Sequence, residues 1–232
     1  MKDNYVSGQP PEAMLLTSAQ QSRPAVDNPC GGFLKRAFDI VVASLAIIVL
    51  SPLLIGLSLA IRLSDGGPAF YGQMRVGCNG KAFRIWKFRS MMPNSAALLR
   101  DHLARNPQAA LEWQRNRKLK NDPRVTPLGA ILRKYSVDEL PQLFNILAGE
   151  MSFVGPRPID ESECNRFGKS LRHYLRCRPG LTGMWQVSGR SDTTYSRRVA
   201  LDRYYAANWS LARDLQLILK TVPVAITGRG SY

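Results

Sequence analysis

Ser136-Val137-Asp138-Glu139 sets two adjacent carboxylic acids just ahead of an apolar stretch. Neighbouring acids can divide roles, one carboxylate attacking an electrophile while the other binds a metal ion or positions its partner. If a helix begins here, its N-terminus favours the ionised form of Asp138 and offers backbone N–H groups to a phosphate. The same residues also spell a capping box, with Ser136 as cap and Glu139 reaching back. Asp138 then merely suits the helix dipole. Pro141 places the helix start near Asp138, and the pattern leaves both readings open.

Basic residues in three other segments suit phosphate. Lys87 and Arg89 close a predicted strand, and alternation puts both on one face, where two cations can hold a diphosphate. Edge strands also carry such charges against aggregation. In Gly155-Pro156-Arg157-Pro158 two prolines fix the backbone around one arginine, pre-ordering its guanidinium for phosphate oxygens unless this is only a stiff surface turn. Arg176 and Arg178 lead into Pro179-Gly180-Leu181-Thr182-Gly183, and Trp185 to Arg190 follow. These glycines permit close backbone approach to a ligand, or serve as ordinary turns. His102 and His173 stand far apart in polar helices and read as surface residues. There is no Walker loop or dinucleotide fingerprint.

The elements that must position these groups begin with an apolar segment. Ile40 to Ile61 runs for 22 residues without a charge, long enough to cross a bilayer. Ser51-Pro52 falls mid-run, where Pro52 cannot bond the Ile48 carbonyl and the Ser51 hydroxyl can take its place. Lys35 and Arg36 precede the run and Arg62 follows it, so basic charge gives no clear sidedness. A helix–break–helix entering and leaving by one face, a kinked spanning helix and a buried core helix all stay open. Asp39 has Lys35 or Arg36 as prospective partners.

Further along, Pro68 to Phe88 reads as a hairpin turning at Asn79-Gly80. Residues 94–120 read as polar helix broken at Asn106-Pro107, with a solvated or lipid-facing cluster at Arg115, Arg117, Lys118 and Lys120. Short helices follow at Gly129 to Tyr135 and Ser136 to Leu147, then extended chain at Glu150 to Val154 and a helix at Glu161 to Arg176. Pro179-Gly180 reads as a turn, Met184 to Val187 as extended, and Thr194 to Asn208 as helix. Ser210 to Val222 has apolar residues at helical spacing, with Trp209 and Lys220 at its ends; this suits an interfacial helix or a core-facing one.

Composition is consistent with a folded body behind a polar tail. Of 232 residues, 32 are Lys or Arg and 17 Asp or Glu, a net charge of +15. Residues 1–32 hold two basic and three acidic residues, so the excess lies on the body and favours anionic partners: phosphorylated metabolites, nucleic acid or lipid headgroups. That tail is polar and aperiodic and is expected to be disordered, and Met14-Leu15-Leu16 is too short for a secretory core. Cys30, Cys78, Cys164 and Cys177 fit no zinc spacing and read as reduced thiols.

Taken in order, the Ser51-Pro52 break, Lys87-Phe88-Arg89-Ser90-Met91, Asp138-Glu139-Leu140-Pro141-Gln142, Gly155-Pro156-Arg157-Pro158, Arg178 to Gly183 and Trp185 to Arg190 resemble the bacterial sugar transferase family, the monotopic phosphoglycosyl transferases. The resemblance runs from about Phe33 to Tyr232 and is greatest to the small members that start exopolysaccharide synthesis. It implies an α+β monotopic membrane protein: a tail at 1–32, a re-entrant membrane helix at 33–63 broken at Ser51 and Pro52, and at 64–232 a mostly helical catalytic domain with a short β-hairpin and interfacial helices. It implies an enzyme of the bacterial inner membrane with both termini cytoplasmic. This enzyme would move hexose-1-phosphate, galactose favoured over glucose or an N-acetylated sugar, from a UDP-sugar to undecaprenyl phosphate. Asp138 would form a phosphosugar intermediate and UMP would leave. Glu139 would bind Mg²⁺, while Lys87, Arg89, Arg133, Arg157, Arg178 and Arg190 would hold phosphates or substrate. Membrane lipids are implied partners, nucleic acid is not, and a homo-oligomer is compatible. The rival classes are a basic lipid- or nucleic-acid-binding module and a catalytically silent assembly scaffold.

Overall fold

The computed structural model describes residues 28–116, 119–189 and 193–227. Most of the expected tail, Arg117, Lys118 and Arg190 lie outside the described residues. The first element, α1, is Gly32–Asp65. The sequence suggested two helices parted at Ser51-Pro52; the structure has one, with Pro52 inside it. One proline removes one helical bond, and the Ser51 hydroxyl donates to the Ile48 carbonyl at 2.8 Å, the oxygen that Pro52 cannot reach.

Among the described residues α1 is the one helix long and apolar enough to cross a membrane. Phe33, Leu45, Ile48, Val49, Ile55 and Leu59 stand exposed along it. So much contiguous apolar surface calls for lipid or a partner. The polar residues of its first turns point the other way. Lys35 Nζ donates to Asp214 at 2.6 Å, and Arg36 donates to the carbonyls of Ile146 and Leu147 at 2.6 and 2.8 Å. Asp39 accepts from the Ser152 hydroxyl at 3.0 Å and the Phe153 N–H at 3.1 Å. The Asp39 pairing with Lys35 or Arg36 is therefore not what forms: each of these groups is held by the body of the protein.

The hairpin appears as expected. β1 (Phe70–Val76) pairs antiparallel with β2 (Ala82–Phe88), Arg75 opposite Phe83 and Tyr71 opposite Lys87. Asn79 and Gly80 take the positive φ values, 57° and 76°, that close so tight a turn. α2 (Ser95–Arg105) and α3 (Pro107–Asn116) flank the expected break, and α4 spans Pro127–Lys134 with Thr126 as its cap. A 3₁₀ turn at Val137–Glu139 leads to α5 (Gln142–Ala148), which ends on Gly149.

Three expectations after this point differ from the structure. Pro179-Gly180 does not only turn: β3 (Ser152–Val154) pairs in parallel with β4 (Gly180–Thr182), a second small sheet that the sequence did not announce. β3 falls within the extended chain expected at Glu150 to Val154, whereas the three residues of β4 carry too little alternation to be read. Met184 to Val187 was expected to be extended and is a helical turn, α8 (Met184–Val187), since four mixed residues fit either period. Glu161 to Arg176 breaks into short turns that include α6 (Cys164–Phe167) and α7 (Leu171–Tyr174). α9 (Tyr195–Ala207) is capped by Thr194, and α10 spans Leu211–Thr227.

Two apolar clusters dock α1 on this body. Ala43 packs with Phe83, Ile85, Leu143, Ile146 and Met151, and Leu54 and Ile61 pack with Phe88 and Leu132. Each large side chain so buried contributes about 1.5–3 kcal/mol. α10 turns Asp214 and Leu217 inward and leaves Leu215, Leu219 and Val222 exposed. Trp209 is not a free interfacial anchor, because its indole N–H donates to Asp214 at 2.9 Å.

Candidate active site

The acid pair sits where α4 is turned back toward the hairpin. Ser136, a non-glycine residue with φ of 56°, makes that reversal and forms no side-chain cap, so the capping box is not formed. Left-handed residues of this kind cost free energy and concentrate at functional sites. The turn sends Asp138 inward, 8% exposed, and leaves Glu139 facing an open cleft. Burial pushes the Asp138 carboxyl up to about 6, aided by Glu139 and opposed by Lys87 and Arg133. The anticipated stabilisation of its anion by a helix start is thus outweighed by desolvation.

Lys87 Nζ donates to Glu139 Oε1 at 2.6 Å across the mouth of this turn. Arg133 stands behind Asp138, its Nε donating to the Ser90 hydroxyl at 2.8 Å; its guanidinium is held down by burial and supported by the Asp138 charge. Gly129 makes this approach possible, since a Cβ there would lie 2.1 Å from the Ser90 carbonyl oxygen.

The cleft is lined by Arg75, Lys87, Glu139, Arg157, Leu181 and Gln186, among others. Pro156 and Pro158 are buried and Arg157 between them is exposed, as pre-ordering by two prolines requires. The glycines of the neighbouring turns serve strand contact. A Cβ on Gly183 would lie 2.2 Å from the Gly155 carbonyl oxygen, and one on Gly180 2.1 Å from the Gly155 nitrogen. Gly155 N–H donates to Thr182 and Gly180 N–H to Pro156, sewing the two basic turns together.

Not every expected cation joins the acids. Arg89 pairs with Asp65 at the end of α1, so it does not act beside Lys87 on one face. That second position belongs to Arg75, which shares its face of the hairpin with Ile85 and Lys87. Counting outward from the Asn79-Gly80 turn would have found it. Arg178 Nε donates to the Gly149 carbonyl at 2.9 Å, at the far end of α5 from Asp138. Gln142 and Gln186, also on the cleft, carried no signal in isolation. Neither histidine lines it.

Mg²⁺ binds through one or two carboxylates together with phosphate oxygens and water. Glu139, the acid that lines this cleft, fits that requirement as a single carboxylate, and among the described residues there is no group of three or more His, Cys, Asp or Glu to form an all-protein cage.

Paired acids among cations beside a helix long and apolar enough to cross a membrane define an anion-handling protein. Residues 30–228 match the family model for bacterial sugar transferases. The chain belongs to that family. It is 52% identical over 204 residues to the exopolysaccharide production protein ExoY of Sinorhizobium fredii, covering 88% of this chain and 90% of that protein. It is 50% identical over 200 residues to the undecaprenyl-phosphate galactose phosphotransferase of Salmonella typhimurium, covering 86% of this chain and 42% of that one. It is 36% identical over 222 residues to the UDP-glucose:undecaprenyl-phosphate glucose-1-phosphate transferase of Escherichia coli, covering 90% of this chain and 44% of that protein.

Proposed function

We propose that this protein transfers hexose-1-phosphate from a UDP-sugar to undecaprenyl phosphate at the membrane surface, in exopolysaccharide synthesis. The observation that carries this is the desolvated Asp138, flanked by Lys87 and Arg133 and next to Glu139 on the edge of a cationic cleft. Galactose is the favoured sugar, because the galactose phosphotransferase relative is more similar to this chain than the glucose-1-phosphate transferase.

Phosphoryl transfer needs positioning and charge neutralisation above all. Arg75, Arg157 and Lys87 hold the donor diphosphate. An Asp138 carboxylate oxygen attacks the sugar-bearing phosphorus, the bond to UMP breaks, and UMP leaves with the electron pair. Undecaprenyl phosphate then attacks the aspartyl-bound phosphorus, the phosphorus–oxygen bond of the Asp138 acyl phosphate breaks, and the free carboxylate returns. Glu139, with the phosphates, would hold Mg²⁺, which supplies further neutralisation of phosphate charge. Arg133 holds Asp138 in place from behind. A covalent intermediate lets one site take a soluble and a lipid substrate in turn.

A course of α1 that enters and leaves by one face belongs to the same reading, and requires that the one helix bend at Pro52 and not part there. Both of its ends are tied to one body, through Lys35–Asp214 near the start and Asp65–Arg89 at the end. A spanning helix would separate its ends by a hydrocarbon core of about 30 Å. Apolar residues exposed along α1 and α10 support burial in one leaflet of the inner membrane, with both termini cytoplasmic.

The test is UMP release by purified protein with Mg²⁺, undecaprenyl phosphate and UDP-galactose, UDP-glucose or an N-acetylated UDP-sugar, with mass spectrometry of the protein during turnover. A phosphohexose adduct on Asp138 is expected. Turnover that needs both substrates together and shows no adduct overturns the covalent route. A periplasmic N-terminus in cysteine labelling overturns the topology.

A further inference from the structure

The described residues contain seven buried side-chain polar atoms without a hydrogen-bond partner, and four of them belong to Trp185, Gln186, Arg198 and Asp202. Such groups are costly and are normally satisfied, so four together mark a place that packing alone does not explain. Gln186 lines the cleft beside Arg157, and the Trp185 ring links Arg157 to Arg198.

The cluster is built around one indole. The Arg198 guanidinium carbon is 4.0 Å from the Trp185 ring centroid, and that of Arg157 is 5.4 Å from the same ring. Trp185 is buried, and neither arginine has an ion pair within 4 Å among the described residues. Asp202, one helical turn after Arg198 on α9, is buried too. Burial pushes its carboxyl up to about 8 against the pull of Arg198 and Arg157. Near neutral pH its carboxyl therefore offsets the two guanidinium charges only weakly, and Glu163 is the other acid whose charge acts on Arg198. Two like charges against one ring are an unfavourable arrangement for an empty wall and a favourable one beside a diphosphate.

We propose that Arg198, stacked on Trp185 behind the cleft, is a positioning residue for the donor: it sets Arg157 at the mouth through their shared indole and adds a second positive charge to the wall that the diphosphate meets. This rests on the reading of the donor as a UDP-sugar. Arg157 is exposed and anchored by the ring, so the order of its guanidinium depends on what holds Trp185. A planar guanidinium stacks on an indole in a way that an ammonium does not, which separates geometry from charge.

The experiment uses the full chain in lipid nanodiscs and the UDP-hexose that supports turnover. Arg198→Gln is expected to raise donor KM about tenfold, and Arg198→Lys about threefold, with kcat and the KM for undecaprenyl phosphate held within about twofold. Inhibition by UMP weakens in parallel. An unchanged donor KM in both variants overturns the proposal. So does a joint loss of kcat and both KM values, which is the signature of a structural residue. If Arg198→Gln does not fold, Arg198→Lys and Trp185→Phe must show the same donor-only effect. Wild-type protein that releases no UMP from any UDP-sugar overturns the donor reading itself. Wild-type turnover with unaltered donor KM in the variants overturns only the role of Arg198.

Discussion

Replacing the acid at the heart of the site should make the protein more stable while abolishing its chemistry. Asp138 is 8% exposed, and burial raises its pKa from the ordinary 3.8 to about 6. The folded state therefore holds the proton more tightly than the unfolded chain. Between these two values folding takes up a proton, so stability falls as pH rises from about 4 through 6. At pH 7 the carboxylate is ionised in both states, and its burial costs about 3 kcal/mol, since each pKa unit corresponds to about 1.4 kcal/mol. Asp138→Asn keeps the shape and removes that cost. Its unfolding midpoint at pH 7 should rise by about 6–10 °C for a chain of this size. The gain should shrink to about 1.5 kcal/mol at pH 5 and nearly vanish below pH 4. Thermal unfolding of both proteins in one detergent across this range measures it. A variant no more stable at pH 7, or a gain indifferent to acid, would refute the claim that the carboxylate is held charged against its surroundings. In the wild type, kcat/KM should fall about tenfold per pH unit below about 6 if Asp138 attacks as its carboxylate.

Arg75→Gln should raise donor KM about tenfold and leave the undecaprenyl phosphate KM near its starting value; equal effects on both would remove Arg75 from the donor side. Gly183→Ala would drive a Cβ to 2.2 Å from the Gly155 carbonyl oxygen, prising β3 from β4. Stability should fall by about 1–3 kcal/mol by thermal unfolding, with activity lost because Arg157 shifts; an active, stable variant would show that this strand contact yields easily. Lys35→Met leaves Asp214 buried without its cation and should destabilise by about 3–5 kcal/mol, and a change under about 1 kcal/mol would mean that the Tyr205 and Trp209 donors suffice.

Local chemistry made much of this molecule legible in its sequence. A charge-free run of 22 residues has few uses outside lipid or a core, and Asn79-Gly80 between apolar arms leaves few alternatives to a hairpin. Two adjacent acids, and one arginine held between prolines, could be singled out before any contact was known, although spacing alone left a capping box and a stiff turn open. The Ser51 hydroxyl meets the Ile48 carbonyl because both lie within one turn of Pro52. Tertiary structure decided what depends on distant partners. It gave Arg89 to Asp65 and Arg178 to the Gly149 carbonyl, and it brought Arg75 to the cleft in Arg89's place. It paired β3 with β4, a partner of three residues with no period to read. It also reversed the expected bias on Asp138. A helix start acts over one turn and can be read from spacing, whereas desolvation depends on everything that packs around the carboxyl, and only the folded chain assembles that shell.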